Sequence, residues 1–470
     1  MIVRASRVIS VTLILLLGSL AVFPAASSAM PEPHYDAVQD IPPEDGVPAP
    51  PLPMKEDDSV SCVISAVLEN SQFDSIPANT VFEVDRLGQL AVGRGQTVAV
   101  IDSGVNPNVR LPSLIGGGDY IMGGDGLSDC DHHGTLIAGI IAGQKSSQDG
   151  FVGVAPEASI LSIRQTSGKF KPDNPPYGYD KISQSASNLH TLAQAIVHAA
   201  NLGATVINMS VTSCFDAGLN VDTSSLAGAL YYASVEKNIV LVSSAGNVDG
   251  NCKSNPGPSP SSPGDILGWG NVTSVSLPSA WSQFVLSVGG TTLTGEPYIN
   301  TMGGPWVGVA APAVNIVSLN PAEGDKGTLI NVQMRDGKPV PINGTSYAAA
   351  YVSGLAALIR EKFPNLTSRQ VINRIEKTAH MPSDGMLRNL IGNGVVDPVA
   401  ALTATVDPGD KVSPGIPAVG VSALPDVTPP DRLARTVSLY IVMGSAVLVF
   451  VMFVVFLAIR VGQHRPGGGS

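Results

Sequence analysis

The sequence has no excess of basic charge, no internal repeat and few cysteines. Its 27 Lys and Arg stand against 38 Asp and Glu, a net charge of −11, which argues against a nucleic-acid partner. No stretch has the ligand spacing of a calcium loop, so neither a metal nor any other cofactor is expected. The four cysteines, Cys62, Cys130, Cys214 and Cys252, allow three pairings, and spacing alone does not choose among them. Their number suits an exported protein in which disulfides persist.

Charge is also absent from both apolar ends. Arg4 and Arg7 precede VISVTLILLLGSLAVF, and Ser27 and Ala29 close a small-residue stretch, the pattern of a secretory signal peptide over 1–29. Residues 436–459, TVSLYIVMGSAVLVFVMFVVFLAI, carry no charge and lie between Arg435 and Arg460, long enough to span a bilayer. Basic residues flank this run on both sides, so its orientation follows from the signal peptide. The expected protein is a single-pass cell-membrane protein with its body extracytoplasmic and a short cytoplasmic tail, 460–470.

Between the ends, a Pro-rich N-terminal extension is read over 30–92 and a Pro-rich stalk over 403–435, leaving 93–402 as one large body. In the body, the apolar runs TVAVI, ILSI, TVINM and IVLVS have little polar alternation, as expected of strands buried on both faces. Amphipathic segments separate them, including SNLHTLAQAIVHAANLG and LTSRQVINRIEKTA, the latter with a capping-box spacing from Thr367 to Gln370. The fold class is therefore α/β, with a mostly parallel central sheet, helices on both faces and one C-terminal transmembrane helix. Such sheets place their sites at the carboxyl ends of strands.

TVAVIDSGV ends its run at Asp102. His133 opens HGTLIAGIIAG, and Ser346 follows Gly344 in INGTSYAAAYVSG. Taken singly, each has a plain reading: a turn carboxylate, a histidine ahead of a helix, a serine N-cap. Together they supply a nucleophile, a base to take its proton and a carboxylate to hold the base in the useful tautomer. They occur in the chain order Asp, His, Ser, and Asn247 at the end of SSAGN offers an amide for an oxyanion. A competing metal-hydrolase reading of Asp129, Asp131, His132 and His133 needs convergent ligands, which adjacent residues seldom supply. Asp129 and Asp131 are read as loop residues, and His190 and His198 as structural.

DSGV, HGTLIAGIIAG, VINMS, SSAGN and NGTSYAAAYVSGLAAL, in this order, resemble the subtilisin-like serine proteases. The resemblance implies a subtilisin-like fold, a triad of Asp102, His133 and Ser346, and Asn247 in the oxyanion hole. It also implies an edge strand, VINMSV, whose Asn208, Met209, Ser210 and Val211 would bind an extended substrate. With both Pro-rich segments and the C-terminal helix, the chain further resembles the mycosins, the membrane-anchored proteases of type VII secretion systems. That resemblance implies disulfides Cys62–Cys130, tying the extension to the body, and Cys214–Cys252. The expected activity is endopeptidase cleavage of a secreted protein substrate. The alternative is a structural subunit of a membrane secretion complex in which proteolysis is dispensable. The partners are then that complex and the lipid bilayer, through one helix. The long loop NCKSNPGPSPSSPGDILGWG would either gate the cleft or lie exposed beside it.

Overall fold

The computed structural model describes residues 31–416, apart from 251, 260, 261, 263 and 382–386. The signal peptide, the transmembrane segment, the tail and most of the stalk read from the sequence lie outside the described residues. Among the described residues, no helix is long and apolar enough to cross a membrane.

Seven strands form the central sheet. In chain order they are β1 (Thr97–Asp102), β2 (Leu114–Asp119), β3 (Ser159–Arg164), β4 (Val206–Met209), β5 (Val240–Ser244), β6 (Val285–Thr291) and β7 (Val307–Pro312). They lie in the order β7-β6-β5-β4-β1-β3-β2, and every neighbouring pair is parallel. β1 is buried along its whole length. Successive side chains of a strand point to opposite faces, so Val98 and Val100 enter one core while Ala99 and Ile101 enter the other. This is why the run is apolar without a period of two.

Helices cover both faces. On one side lie α1 (His133–Ala142), α4 (Thr345–Lys362) and α5 (Ser368–Thr378); on the other lie α2 (Lys181–Asn201) and α3 (Ser224–Tyr231). α4 is buried from Thr345 to Arg360, and its small residues permit this: a Cβ on Gly354 would come within 2.6 Å of Val154 Cβ. α5 begins with the capping box of Thr367 and Gln370. α2 starts six residues before the amphipathic segment visible in the sequence, because Asp180 caps it by accepting a hydrogen bond from the Ser183 N–H at 2.9 Å.

The N-terminal extension is extended, but parts of it are packed. Tyr35 stacks on Tyr231 with ring centroids 4.4 Å apart. Asp45 accepts from Asn201 Nδ2 at 2.8 Å and pairs with His198 Nδ1 at 2.8 Å, which gives His198 its structural role. Met54–Glu56 pairs antiparallel with Phe170–Pro172, and Ser65–Ala66 pairs with Val332–Arg335. Residues 76–92, assigned by sequence to the extension, enter the main core through Ile76, Phe82 and Leu87. The start of the stalk is also fastened: the carbonyls of Gly409 and Lys411 accept from Gln370 and Thr367 at 3.1 and 2.8 Å.

The structure joins Cys62 to Cys130 and Cys214 to Cys252. The first bond holds the extension against the loop ahead of α1. The second connects Ser213–Asp216, which pairs antiparallel with Ser274–Leu277, to the loop beyond Asn247. That loop is anchored by buried Asn255, whose amide donates to the carbonyls of Ser274 and Gly303 at 2.8 and 2.9 Å.

Candidate active site

Asp102 is the last residue of β1, at the carboxyl end of the sheet between β3 and β4. His133 opens α1, and a close approach brings that helix onto the strand end: a Cβ on Gly134 would lie 2.1 Å from the carbonyl oxygen of Gly104. No side chain fits there, so glycine at 134 lets α1 start against the Asp102 turn. His133 Nδ1 consequently lies 2.7 Å from Asp102 Oδ1. The Asp102 side chain is 1% exposed and that of His133 is 29% exposed, so the carboxylate is sealed while the imidazole keeps a face toward the cleft.

Asp102 Oδ1 also accepts from the Ser103 N–H at 2.7 Å and from Ser103 Oγ at 3.2 Å. For His133, burial opposes the charged imidazolium. The charge and hydrogen bond of Asp102, with the charges of Asp129 and Asp131, outweigh it and raise the pKa. The Tyr347 ring lies 5.5 Å from that of His133. Burial keeps its phenol neutral by pushing its pKa up, with the charge of Asp102 adding to the rise.

Ser346 is the second residue of α4 and is 5% exposed. Its Oγ donates to the carbonyl of Ser210 at 3.4 Å, and Ser210 Oγ donates in return to the Ser346 carbonyl at 3.1 Å. The His133 ring is bonded through Nδ1, so Nε2 is the nitrogen left to receive a serine proton. Catalytic hydrogen bonds are often long before substrate tightens them. Asn247 follows β5 and is half-buried. Its Oδ1 accepts from the Thr345 N–H at 3.0 Å, and its Nδ2 makes no hydrogen bond within the described residues. Such a set can activate a hydroxyl, accept its proton and donate to a developing oxyanion.

The structure separates the four substrate-binding candidates and corrects the edge-strand reading. Val206–Met209 is β4, paired on one side with β1 and on the other with β5, so it has no free edge. A strand buried on both faces and both edges is mostly apolar, with any polar side chain hydrogen-bonded inside, and the VINM run records that burial rather than a substrate edge. Asn208 is fully buried, accepting from Ser353 Oγ at 2.9 Å and donating to Ser210 Oγ at 2.9 Å. Met209 lies in the opposite core. Ser210 lies beyond the end of the strand and is bonded to Ser346, and Val211 follows it outside β4.

The aspartates of the 128–133 segment are also more than loop residues. Asp131 accepts from Ser167 Oγ at 2.5 Å and from the Gly168 N–H at 2.8 Å, fixing that neighbouring loop. Asp129 is buried beneath the site. His132 reaches the extension, its Nδ1 lying 2.9 Å from Ser65 Oγ. Sequence reasoning missed Ser103, Asp129, Thr345 and Tyr347 as residues of this neighbourhood. Each stands within four positions of a triad residue, which was the available signal.

The model of the subtilase family, Peptidase S8, matches residues 93–394. The chain belongs to the subtilase family. Mycosin-1 of Mycobacterium tuberculosis is 48% identical over 380 residues, covering 80% of this chain and 82% of the relative. Mycosin-1 of Mycolicibacterium smegmatis is 40% identical, covering 95% and 97%. Among solved structures, the crystal structure of MycP1 from Mycobacterium smegmatis is 42% identical, with a TM-score of 0.77, covering 82% of this chain and 98% of that one. A chain of the intact ESX-5 inner membrane complex is 37% identical, with a TM-score of 0.76, covering 91% and 100%. The protein is a subtilisin-like serine protease of the mycosin type.

Proposed function

We propose that this protease is anchored in the cell membrane, faces the extracytoplasmic side and cleaves a secreted protein in association with a type VII secretion complex. Asp102, His133 and Ser346 serve as its triad and Asn247 as its oxyanion donor. The observation that carries the assignment is the 2.7 Å contact between His133 Nδ1 and buried Asp102, at the carboxyl end of a parallel sheet and beside the buried start of the Ser346 helix. In the reaction, His133 Nε2 takes the Ser346 proton as Oγ attacks the scissile carbonyl, and returns it to the leaving amine. Asp102 holds Nδ1–H, and Asn247 Nδ2 donates to the oxyanion. The substrate backbone runs past Ser210 and Val211. The charge-free run 436–459 is the anchor, with the signal peptide 1–29 and the stalk 403–435 placing the body outside and 460–470 inside.

The test is hydrolysis of fluorescent casein by the purified full chain in detergent. Wild type is expected to release fluorescence and Ser346→Ala to lose that activity; equal rates reject the triad assignment.

A second reading is favoured by the likeness to a chain of an ESX-5 inner membrane complex. The protein then also stabilises such a complex, independently of proteolysis. Ser346→Ala restoring complex assembly as fully as wild type in a deletion strain is the expected result, and failure to assemble rejects it.

A further inference from the structure

Beneath the proposed triad lies a second carboxylate. Asp129 is 2% exposed. Its Oδ1 accepts from Ser103 Oγ at 2.8 Å, and its Oδ2 accepts from the Thr135 N–H at 2.9 Å and from Thr135 Oγ1 at 2.6 Å. Its backbone is clamped in both directions by Asn106, which accepts from the Asp129 N–H at 2.7 Å and donates to its carbonyl at 3.1 Å. All of the side-chain bonds are accepted, so the arrangement fits an ionised carboxylate held in a fixed direction.

Ser103 links this carboxylate to the triad. Its single hydroxyl proton has two acceptors in reach, Asp129 Oδ1 at 2.8 Å and Asp102 Oδ1 at 3.2 Å. Its oxygen accepts from the N–H of Gly134, next to His133, at 2.9 Å. The hydroxyl can satisfy one carboxylate fully but not both. Asp102 Oδ2, which is buried, has no donor among the described residues, so the bonds Asp102 makes there converge on Oδ1.

We propose that Asp129 is a positioning residue that sets the basicity of His133, through its own charge and through the direction in which the Ser103 hydroxyl donates. When Asp129 is ionised it takes the Ser103 proton, and Asp102 Oδ1 is left to the Ser103 N–H and to His133 Nδ1. When Asp129 takes up a proton from solvent, the Ser103 hydroxyl turns to Asp102 and competes with His133 for Oδ1. A negative charge beside the ring is lost at the same step. Both changes lower the affinity of His133 for a proton.

Burial pushes the Asp129 carboxyl up to about 7, against the lowering effect of its Thr135 and Ser103 bonds, and the charge of Asp102 adds to the rise. The groups facing it are Asp102 from β1, His133 from α1 and Tyr347 from α4. Asp131, in the same loop, bears on His133 but is bonded to Ser167 and Gly168. The charge of Asp129 is among those that raise the pKa of His133.

The inference rests on His133 being the base of the triad. Its test reads the ring directly, by NMR titration of labelled histidine in the full chain, alongside the pH profile of kcat/KM on a peptide substrate. Asp129→Asn keeps the shape and removes the charge. The expected result is a His133 pKa and an acid-limb midpoint about half a unit or more below wild type. Ser103→Ala removes the hydroxyl that can turn to Asp102 Oδ1, so adding it to Asp129→Asn is expected to recover part of the fall. A folded Asp129→Asn protein with an unchanged His133 pKa, and an activity loss uniform with pH, overturns the proposal. If Asp129→Asn does not fold, Asp129→Ser, which also removes the charge, replaces it, and an unchanged His133 pKa there overturns the proposal. If the ring shifts as expected but does not act as the base, the NMR midpoint moves while the rate profile does not.

Discussion

Asn247, in the loop after β5, is joined to Thr345, the first residue of α4, its side-chain oxygen accepting the Thr345 N–H at 3.0 Å. The bond orients the amide of Asn247 and fixes the backbone immediately before Ser346. Asn247→Ala removes both the oriented donor and this tether. A fall in kcat of about 10²- to 10³-fold is expected, read from steady-state kinetics on a peptide substrate, with the larger part of the loss in kcat rather than KM.

The raised pKa of His133 gives the activity a pH dependence of definite sign. The base must be neutral, so kcat/KM falls as pH drops through a midpoint above the ordinary histidine value of about 6.5. Asp102→Asn removes the main stabilising charge. The midpoint then moves down and the rate drops by about 10⁴-fold, measured as a pH–rate profile. For the fold the linkage runs the other way: a raised folded pKa stabilises the protein fully below the unfolded value, and this contribution is lost as pH rises through the folded one.

Gly134→Ala tests how α1 is seated. The added Cβ would meet the Gly104 carbonyl oxygen at 2.1 Å and Asp102 Cβ at 3.2 Å, so the helix start must move away from the strand end that holds Asp102. Activity is expected to fall by about 10²-fold, the usual cost of misplacing a reacting group by about 1 Å. Steady-state kinetics measure the loss, and a crystal structure of the variant shows the widened His133–Asp102 contact.

Asn208→Ala separates core from cleft. The change strands the Ser353 hydroxyl, which donates to Asn208 at 2.9 Å in a fully buried site. A destabilisation of about 1–3 kcal/mol is expected in denaturant unfolding. The change in KM should be small beside that loss, because the side chain faces α4 and reaches the cleft only through Ser210 Oγ, to which it donates at 2.9 Å.

The Cys62–Cys130 bond fastens the extension, closing a loop with a sequence separation of 68. Replacing both cysteines with serine is expected to cost about 2–4 kcal/mol. It should also expose residues 57–75 to limited proteolysis, read by mass spectrometry of the fragments.

The parallel sheet was legible because its strands are buried on both faces: TVAVID carries that burial as an unbroken apolar run ending in one carboxylate. At VINMS the edge strand was implied by the resemblance, whereas the run itself, read as a strand buried on both faces, marks the central strand that the structure shows. Thr367 and Gln370 were legible because a capping box is local. The pairing of Met54–Glu56 with Phe170–Pro172 was not, since three short residues on each side leave no periodic trace. Asp129 was hidden for another reason. Within SDCDHHGT it has the composition of a solvated loop, and its burial depends on Ser103 and Thr135, which lie in two different motifs and meet only when α1 docks on β1.

The central claim is that Ser346 is a nucleophile activated by His133. The most direct measurement is labelling of the full chain in detergent with a fluorophosphonate probe, with the modified residue mapped by peptide mass spectrometry. Wild type is expected to be labelled at Ser346, with the rate falling as His133 becomes protonated and with no labelling in His133→Ala at the same exposure. Labelling at another serine, or labelling of Ser346 at an equal rate in the His133→Ala protein, would contradict the account.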